Sequence, residues 1–141
     1  MYKSTVRWMI RRNVRALSAG NPAPLIAGYA KSAVLVFPGP SSWGGTYQGR
    51  DAIAGFLRRF IADGVIGEVE DILVNGPPWR TRVCVIMTAR ATDPDGTLRY
   101  DNRAALYALA RWGRIVRQED FEDTHKSAAF DEYLHPAQTP G

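Results

Sequence analysis

Acidic side chains near the end of the chain are the residues best suited to chemistry. Glu119, Asp120, Glu122 and Asp123 stand close together on a segment rich in strand-forming residues. A carboxyl group in an apolar cavity loses hydration, which raises its pKa and lets it act as a base near neutral pH, whereas a neighbouring arginine lowers that pKa again. Strand side chains alternate between two faces, so Asp120 and Glu122 share one face and the other two acids share the opposite one.

Other kinds of site are disfavoured by residue spacing. His125 and His135 have no histidine or cysteine partner at metal-ligand spacing, so we expect no metal and no cofactor. Cys84 lies within a predicted strand without an adjacent histidine, which favours a small core residue over a nucleophile. The glycine-containing segment 39–49 lacks the Lys-Ser/Thr ending of a phosphate loop and the spacing of a dinucleotide-binding motif.

The elements that must position the acids follow the order helix, helix, strand, helix, four strands, helix (ααβα-ββββ-α). Apolar residues spaced three and four apart predict a first helix capped by Ser4, and Pro24 suits the start of a short second helix running through Tyr29. A β-rich run at 33–37 predicts the first strand, and a long loop over 41–49 precedes the third helix. The later strands are predicted at residues 65–74, 81–92, 98–109 and 115–121.

This order predicts one α+β domain over residues 1–134, in which a strongly curved antiparallel sheet wraps around helices, followed by a flexible tail at 135–141. A last helix capped by Asp123 or Thr124 closes the domain. A chain of 141 residues, 45% of them hydrophobic, is the size of a single core. The strand at 81–92 is partly apolar on both faces, so we expect a homodimer through the convex face of the sheet.

The net charge of +4 conceals an uneven distribution. Residues 1–60 carry nine Lys/Arg and one acid, giving +8, and residues 61–141 carry nine Lys/Arg and thirteen acids, giving −4. The early cations lie at helical spacing without interleaved aromatics, and no apolar run approaches the ~20 residues of a bilayer span. We therefore expect neither nucleic acid nor a membrane as partner. One cysteine and no apolar leader predict a cytoplasmic protein.

Six short motifs occur in a characteristic order: Ala19-Gly20-Asn21, Gly28-Tyr29-Ala30, Phe37-Pro38-Gly39, the segment 45–53, the segment 112–115 and the segment 119–124. Together they resemble the nuclear-transport-factor-two-like superfamily, in its SnoaL-like and ketosteroid-isomerase-like branch. The resemblance covers the first helix to Leu134 and implies a cone-shaped, cystatin-like roll. Because this superfamily hosts isomerases, cyclases, dehydratases, epoxide hydrolases and non-catalytic domains, the fold alone assigns no reaction.

A residue-by-residue comparison with the family disfavours ketosteroid isomerase chemistry and leaves one aspartate as a candidate acid/base group. Phe37 occupies the place of the isomerase base, Asn13 that of the oxyanion-binding tyrosine and Ala105 that of the protonated aspartate. Polyketide cyclases of the SnoaL type carry an acid/base aspartate on the last strand, where this chain has Asp120. The water-activating pattern of limonene-epoxide-hydrolase relatives has candidate partners for Asp120 in Arg90, Arg103, Asn13 and Asn102.

The resemblance also implies which side chains face the cavity. If Ala105 points inward, alternation turns Arg103 and Tyr107 inward, and the adjoining strands present Asp120 and Glu122. A bulge would shift that parity by one, turning Glu119 and Asp123 inward instead. The candidate catalytic residues are Asp120, Arg103, Tyr107 and Asn13. The candidate ligand-binding residues are Tyr29, Phe37, Trp43, Tyr47, Phe56, Ile86, Thr88, Arg90 and Glu122.

Two functions fit this pattern. The first is binding of a small, mostly apolar organic molecule, with cofactor-free acid/base catalysis of isomerase, cyclase, dehydratase or epoxide-hydrolase type and Asp120 as base. The second is a non-catalytic, dimeric ligand-binding or protein-assembly domain. This second hypothesis predicts salt bridges at Asp120 and Glu122 and an interior filled by side chains such as Phe37 and Trp43.

Overall fold

The computed structural model of the protein describes residues 1–136 and contains four helices and one six-stranded sheet within them. The helices are α1 (Tyr2–Ser18), α2 (Ala23–Ala27), α3 (Arg50–Ala62) and α4 (Thr124–Leu134). The strands are β1 (Tyr29–Phe37), β2 (Gly45–Gln48), β3 (Ile66–Asn75), β4 (Thr81–Thr92), β5 (Leu98–Arg111) and β6 (Arg114–Glu122). Helices early in the chain and long strands late confirm the predicted α+β class.

The sheet is curved and unclosed, with the strand order β2-β1-β6-β5-β4-β3. Neighbouring strands are antiparallel except β1 and β6, which run parallel. The β3–β4, β4–β5 and β5–β6 hairpins make up most of its area. The inner face carries the buried side chains, and α1 packs over β3, α3 over β1 and β2, and α4 over β5.

Three local features differ from the sequence expectations. Residues 45–48 form the edge strand β2 inside the predicted loop, a strand too short to leave a periodic pattern. Tyr29 opens β1 instead of belonging to the second helix, because α2 ends at Ala27. Ser4 lies inside α1, which begins at Tyr2 with no side-chain cap.

The buried apolar side chains form two clusters. The larger joins β1, α3 and α4 and includes Tyr29, Leu35, Phe37, Trp43 and Phe56. The smaller lies between α1 and strands β3 and β4, around Ile72, Val74, Val83 and Val85. The buried Asn13, Gln118 and Asp120 belong to neither cluster.

The end of the described chain is the helix α4. Asp123 caps it as predicted, since its carboxylate accepts hydrogen bonds from the backbone N–H groups of His125 and Lys126. The helix ends at Leu134, and residues 137–141 of the predicted tail lie outside the described residues. Across residues 1–136, we find no helix with the length and apolar character needed to span a bilayer.

Candidate functional site

Three polar side chains form a chain of hydrogen bonds on the inner face of the sheet. The Tyr29 hydroxyl donates to Gln118 Oε1 at 2.5 Å, and Gln118 Nε2 donates to Asp120 Oδ1 at 2.8 Å. β1 runs parallel to β6 with Tyr29 opposite Ile115, and the Tyr29 side chain reaches Gln118 three residues further along β6. The period-two spacing of β6 places Gln118 and Asp120 on one face. Asp120 is thus a buried carboxyl held from one side.

The electrostatic environment of Asp120 favours its neutral form. Burial removes water from the carboxylate and raises its pKa to about 7, the hydrogen bond from Gln118 opposes that rise, and the charge of Glu122 adds to it. Burial also raises the pKa of the Tyr29 hydroxyl, with a further contribution from Asp120, so Tyr29 remains a donor. A carboxyl group with a near-neutral pKa can both accept and return a proton.

Glu122 is the centre of a second buried network. Its Oε2 accepts hydrogen bonds from Tyr100 Oη at 2.6 Å, from Asn102 Nδ2 at 2.8 Å and from Ser127 Oγ. Burial raises the pKa of Tyr100, and the charge of Glu122 raises it further. Three donors bind one oxygen, so Glu122 links β5 and α4 to the end of β6. Its role is to hold these elements in position.

The predicted parity is correct for β6 and wrong for β5. Asp120 lies opposite Leu106, and Ala105 lies opposite Phe121. Directly opposed residues share a face, so Asp120 and Ala105 cannot both point inward. The register on β5 therefore differs by one residue from the register that the resemblance implied for Ala105.

This displacement moves two predicted catalytic residues to the outer face. Tyr107 is 41% exposed there. Arg103 is exposed and forms an ion pair with Glu70, Nη2 to Oε2 at 2.7 Å. Neither side chain is brought near Asp120 by the sheet, and their catalytic roles have no geometric support.

The same correction applies to the predicted ligand-binding residues of β4. Buried Val83, Val85 and Ala89 alternate with the residues proposed to face the cavity, so Ile86, Thr88 and Arg90 lie on the outer face. Arg90 Nε pairs with Asp101 Oδ1 at 2.9 Å. Within residues 1–136 no salt bridge involves Asp120 or Glu122, contrary to what the non-catalytic hypothesis predicts. The alternative that a bulge turns Glu119 and Asp123 inward is also wrong, since Glu119 lies opposite the exposed Tyr107 and Asp123 caps α4.

The predicted aromatic lining forms a packed cluster. Trp43 is fully buried, contacts Phe37 with ring centroids 6.1 Å apart, and donates from Nε1 to Asp63 Oδ2 at 2.8 Å. Phe56 is buried between Phe37 and Tyr47, and the Tyr47 hydroxyl donates to the backbone oxygen of Trp43 at 2.6 Å. These side chains fill the interior at the β1 end of the sheet, as the non-catalytic hypothesis expects.

Asn13 is a buried amide on α1. Its Oδ1 accepts hydrogen bonds from the Arg12 guanidinium at 3.3 and 3.4 Å, and its Nδ2 lies near Gly28. The structure therefore places Asn13 in the interior, without a hydrogen bond to Asp120 among residues 1–136.

Neither of two surface clefts on the described part of the chain has Asp120 in its lining. Two clefts, of about 280 and 380 Å³, are lined by residues that include Cys84 and Tyr107 in the first and Lys126 and Phe130 in the second. In the described part of the chain, no three His, Cys, Asp or Glu side chains are grouped so that they could hold a metal ion. Asp120 itself is 7% exposed.

Comparison with known families shows to which family the chain belongs. The model of the SnoaL-like domain matches residues 10–118. The chain belongs to the SnoaL-like domain family. This confirms the resemblance stated from the sequence motifs. No curated protein matches this SnoaL-like domain by sequence.

Solved structures of similar fold span nearly the whole SnoaL-like domain. Bal32a from a soil-derived mobile gene cassette is 20% identical with a TM-score of 0.75, covering 89% of this chain and 95% of its own. An NTF2-like protein of unknown function from Burkholderia pseudomallei is 20% identical with a TM-score of 0.72, covering 93% and 97%. TerC, co-crystallised with polyporic acid, is 22% identical with a TM-score of 0.68, covering 83% and 90%. At these identities the likeness supports the fold alone.

Sequence reasoning missed two polar residues of this SnoaL-like domain. Gln118 completes a series of polar residues at positions 118, 120 and 122, which is the period of a strand face. Asn102 appeared only as a partner in an epoxide-hydrolase pattern, yet it donates to Glu122. The alternation on β6 was the available signal for Gln118, and the correct register on β5 would have turned Asn102 inward.

Proposed function

We propose that this SnoaL-like domain binds a small, mostly apolar organic molecule against the inner face of its sheet and that Asp120 exchanges a proton with it. The observation that carries the proposal is the buried Asp120 carboxyl, held at Oδ1 by Gln118. Within residues 1–136 that is its one hydrogen bond, so the other oxygen is free to meet a ligand.

The chemistry that suits this arrangement is transfer of a proton without a cofactor. The ionised carboxylate would take a proton from an acidic C–H or O–H group, and the resulting acid would return it to another atom of the same molecule. Tyr29 and Gln118 would fix the orientation of the carboxyl during both steps. Reactions of this class include the isomerase and cyclase types expected from the sequence.

The ligand class follows from what surrounds the carboxyl. Leu35 and Phe37 on β1 and Leu106 on β5 are the inner-face neighbours of the Gln118–Asp120 segment, so the molecule would meet mostly apolar side chains. TerC, a protein of the same fold, was crystallised with polyporic acid, which makes that compound a suitable first probe.

A titration with polyporic acid, followed by backbone amide NMR shifts, tests the proposal. We expect the shifts to centre on Gln118, Asp120 and Glu122, and Asp120→Asn to weaken binding about tenfold through loss of one charged hydrogen-bonding group. Glu119→Gln, the neighbour on the opposite face of β6, is the matched control and should bind as wild type does. Shifts confined to the outer face would contradict the proposal.

For a substrate that the protein turns over, loss of the proton acceptor in Asp120→Asn is expected to lower kcat by about 10²- to 10⁴-fold. An Asp120→Asn variant that binds polyporic acid like wild type, with no conversion of ligand by either protein, would favour the non-catalytic alternative. The packed contacts among Phe37, Trp43 and Phe56 favour that alternative.

We also propose that the domain dimerises through the outer face of the sheet. This face exposes Leu73 by 58%, Tyr107 by 41% and Phe121 by 52%, and Ile86 and Ala105 lie among them. Burying this patch would remove apolar surface from water. We expect a dimer by light scattering for wild type and a monomer for Phe121→Glu, with Leu98→Glu as an exposed control that stays dimeric. A monomeric wild type would contradict this proposal.

A further inference from the structure

Two exposed tryptophans meet at one end of the sheet. Trp79 lies in the β3–β4 turn and Trp112 in the β5–β6 turn, with ring centroids 6.0 Å apart and planes inclined by 45°. They are 58% and 72% exposed, and the backbone N–H of Trp112 donates to the backbone oxygen of Pro78 at 2.8 Å, joining the two turns. We call residues 76–80 and 111–114 the tryptophan tip. Large aromatic surface is thus presented to solvent on two linked turns.

The backbone conformation at Trp112 is strained. Trp112 has φ +52° and Gly113 has φ +77°, the left-handed pair of a type I′ turn. Such turns favour Asn-Gly, because a bulky side chain is strained at positive φ. Since the ring is mostly exposed, burial in this chain offsets little of the strain. Residues held in strained backbone conformations occur preferentially at functional sites.

The charges around the tryptophan tip have one sign. Arg80, Arg111 and Arg114 are exposed, and in the part of the chain described none of them forms an ion pair. No Asp or Glu occurs in segments 72–92 or 102–118, which flank the tip along the chain. The β4–β5 turn at the opposite end of these hairpins carries Asp93 and Asp95. The tip therefore presents uncompensated positive charge around its apolar rings.

The tip is also held in place. The Thr81 hydroxyl and the Arg80 N–H both donate to the Pro77 oxygen, at 2.9 and 3.0 Å, and a Cβ on Gly76 would lie 2.3 Å from the Arg80 oxygen. Tyr2 Oη lies 2.5 Å from Thr81 Oγ1 and braces the start of β4. A rigid turn loses little conformational freedom when it docks.

We propose that the tryptophan tip docks on the surface of an anionic lipid bilayer. Tryptophan rings favour the boundary between headgroups and acyl chains, and arginines are attracted to anionic headgroups. The two rings touch each other, which leaves no slot in which a nucleic-acid base could stack between them and favours lipid over single-stranded nucleic acid. The sequence expectation of no membrane partner rested on the absence of a spanning segment, which a surface contact does not need.

Docking through the tryptophan tip is independent of ligand binding at Asp120. No residue of the tip lies in the Asp120 site or in the outer-face patch around Phe121, so docking leaves both free. A domain held at a lipid surface would be placed where apolar molecules accumulate.

Co-sedimentation with vesicles tests the proposal. Wild-type protein is expected to sediment with vesicles of phosphatidylcholine containing phosphatidylglycerol and to stay in solution with phosphatidylcholine alone. Each of Arg80→Glu and Arg111→Glu should weaken binding by about fivefold or more, the loss expected for one cation near an anionic surface.

Trp112→Asn separates docking from folding. It restores the Asn-Gly pair that type I′ turns favour, so the variant should unfold at the same or a higher urea concentration than wild type while losing vesicle binding. Trp8→Ala, which removes a tryptophan of α1 that is 57% exposed, is the control and should bind vesicles as wild type does. Three results would overturn the proposal. They are vesicle binding by Trp112→Asn, loss of vesicle binding in Trp8→Ala, and binding of single-stranded DNA without binding of vesicles.

Discussion

Asp120→Asn is expected to be more stable than wild type at pH 8, and to lose that advantage as the pH falls to about 4. The pKa of Asp120 is raised from 3.8 to about 7 in the folded protein, so folding retains a proton that the unfolded chain releases. The contribution of Asp120 to wild-type stability therefore falls as the pH rises from about 4 to about 7 and is level above that. Three pKa units correspond to about 4 kcal/mol, an upper figure for the difference at pH 8.

Urea unfolding of wild type and Asp120→Asn between pH 4 and pH 8, followed by tryptophan fluorescence, measures this difference. The asparagine can still accept the Gln118 hydrogen bond, so the comparison isolates the charge. Glu119→Gln on the outer face of the same strand is the control for removing a carboxylate, and we expect no comparable gain in stability at pH 8. Parallel stability curves for wild type and Asp120→Asn would mean that the Asp120 carboxyl is solvated.

Trp43→Ala is expected to lower the free energy of unfolding by about 3 to 5 kcal/mol, the usual cost of removing a buried aromatic side chain. Trp43 is fully buried, with ring contacts to Phe37, Phe60 and Phe130, and its indole N–H binds Asp63. Truncation would leave a cavity and an acceptor without its partner.

The measurement is the urea midpoint at constant m-value, with Trp8→Ala as control. Trp8 is 57% exposed, and its removal should change stability by less than about 1 kcal/mol. A loss of similar small size for Trp43→Ala would contradict the packed arrangement and favour the ligand-binding role expected from the sequence.

The fold could be predicted from the sequence because its main elements carry strong local signals. The long hairpin strands are bounded by turns at Asn75–Pro78, Asp93–Gly96 and Trp112–Gly113, and their limits in the structure differ by only a few residues from those expected. The short strand β2 was missed because four residues between glycines, with no alternation of buried residues, look like a loop.

The candidate site was only partly predictable, because one residue of register reverses a whole strand face. Asp120 and Glu122 on β6 were placed correctly on the inner face. On β5 the resemblance implied that Ala105 points inward, whereas Ala104 and Leu106 occupy the inner face. That single displacement turned Arg103 and Tyr107 outward. No local pattern on β5 distinguishes the two registers, since alanines occupy both faces.

Whether an aromatic loop residue enters the core is likewise a matter of tertiary packing. Trp43 follows a Pro-Gly-Pro-Ser-Ser segment typical of a surface loop, yet it is enclosed by rings from β1, α3, β5 and α4. These rings are far apart in the sequence, so the burial of Trp43 depends on contacts that no short segment encodes.

The most direct test of a desolvated, proton-exchanging Asp120 is a carbon-13 NMR titration of its side-chain carboxyl in the wild-type protein, with Asp120→Asn used to assign the resonance. We expect a titration midpoint near pH 7. A midpoint near pH 4 would place the carboxyl in a hydrated environment and would contradict its role as the acid/base group of the site.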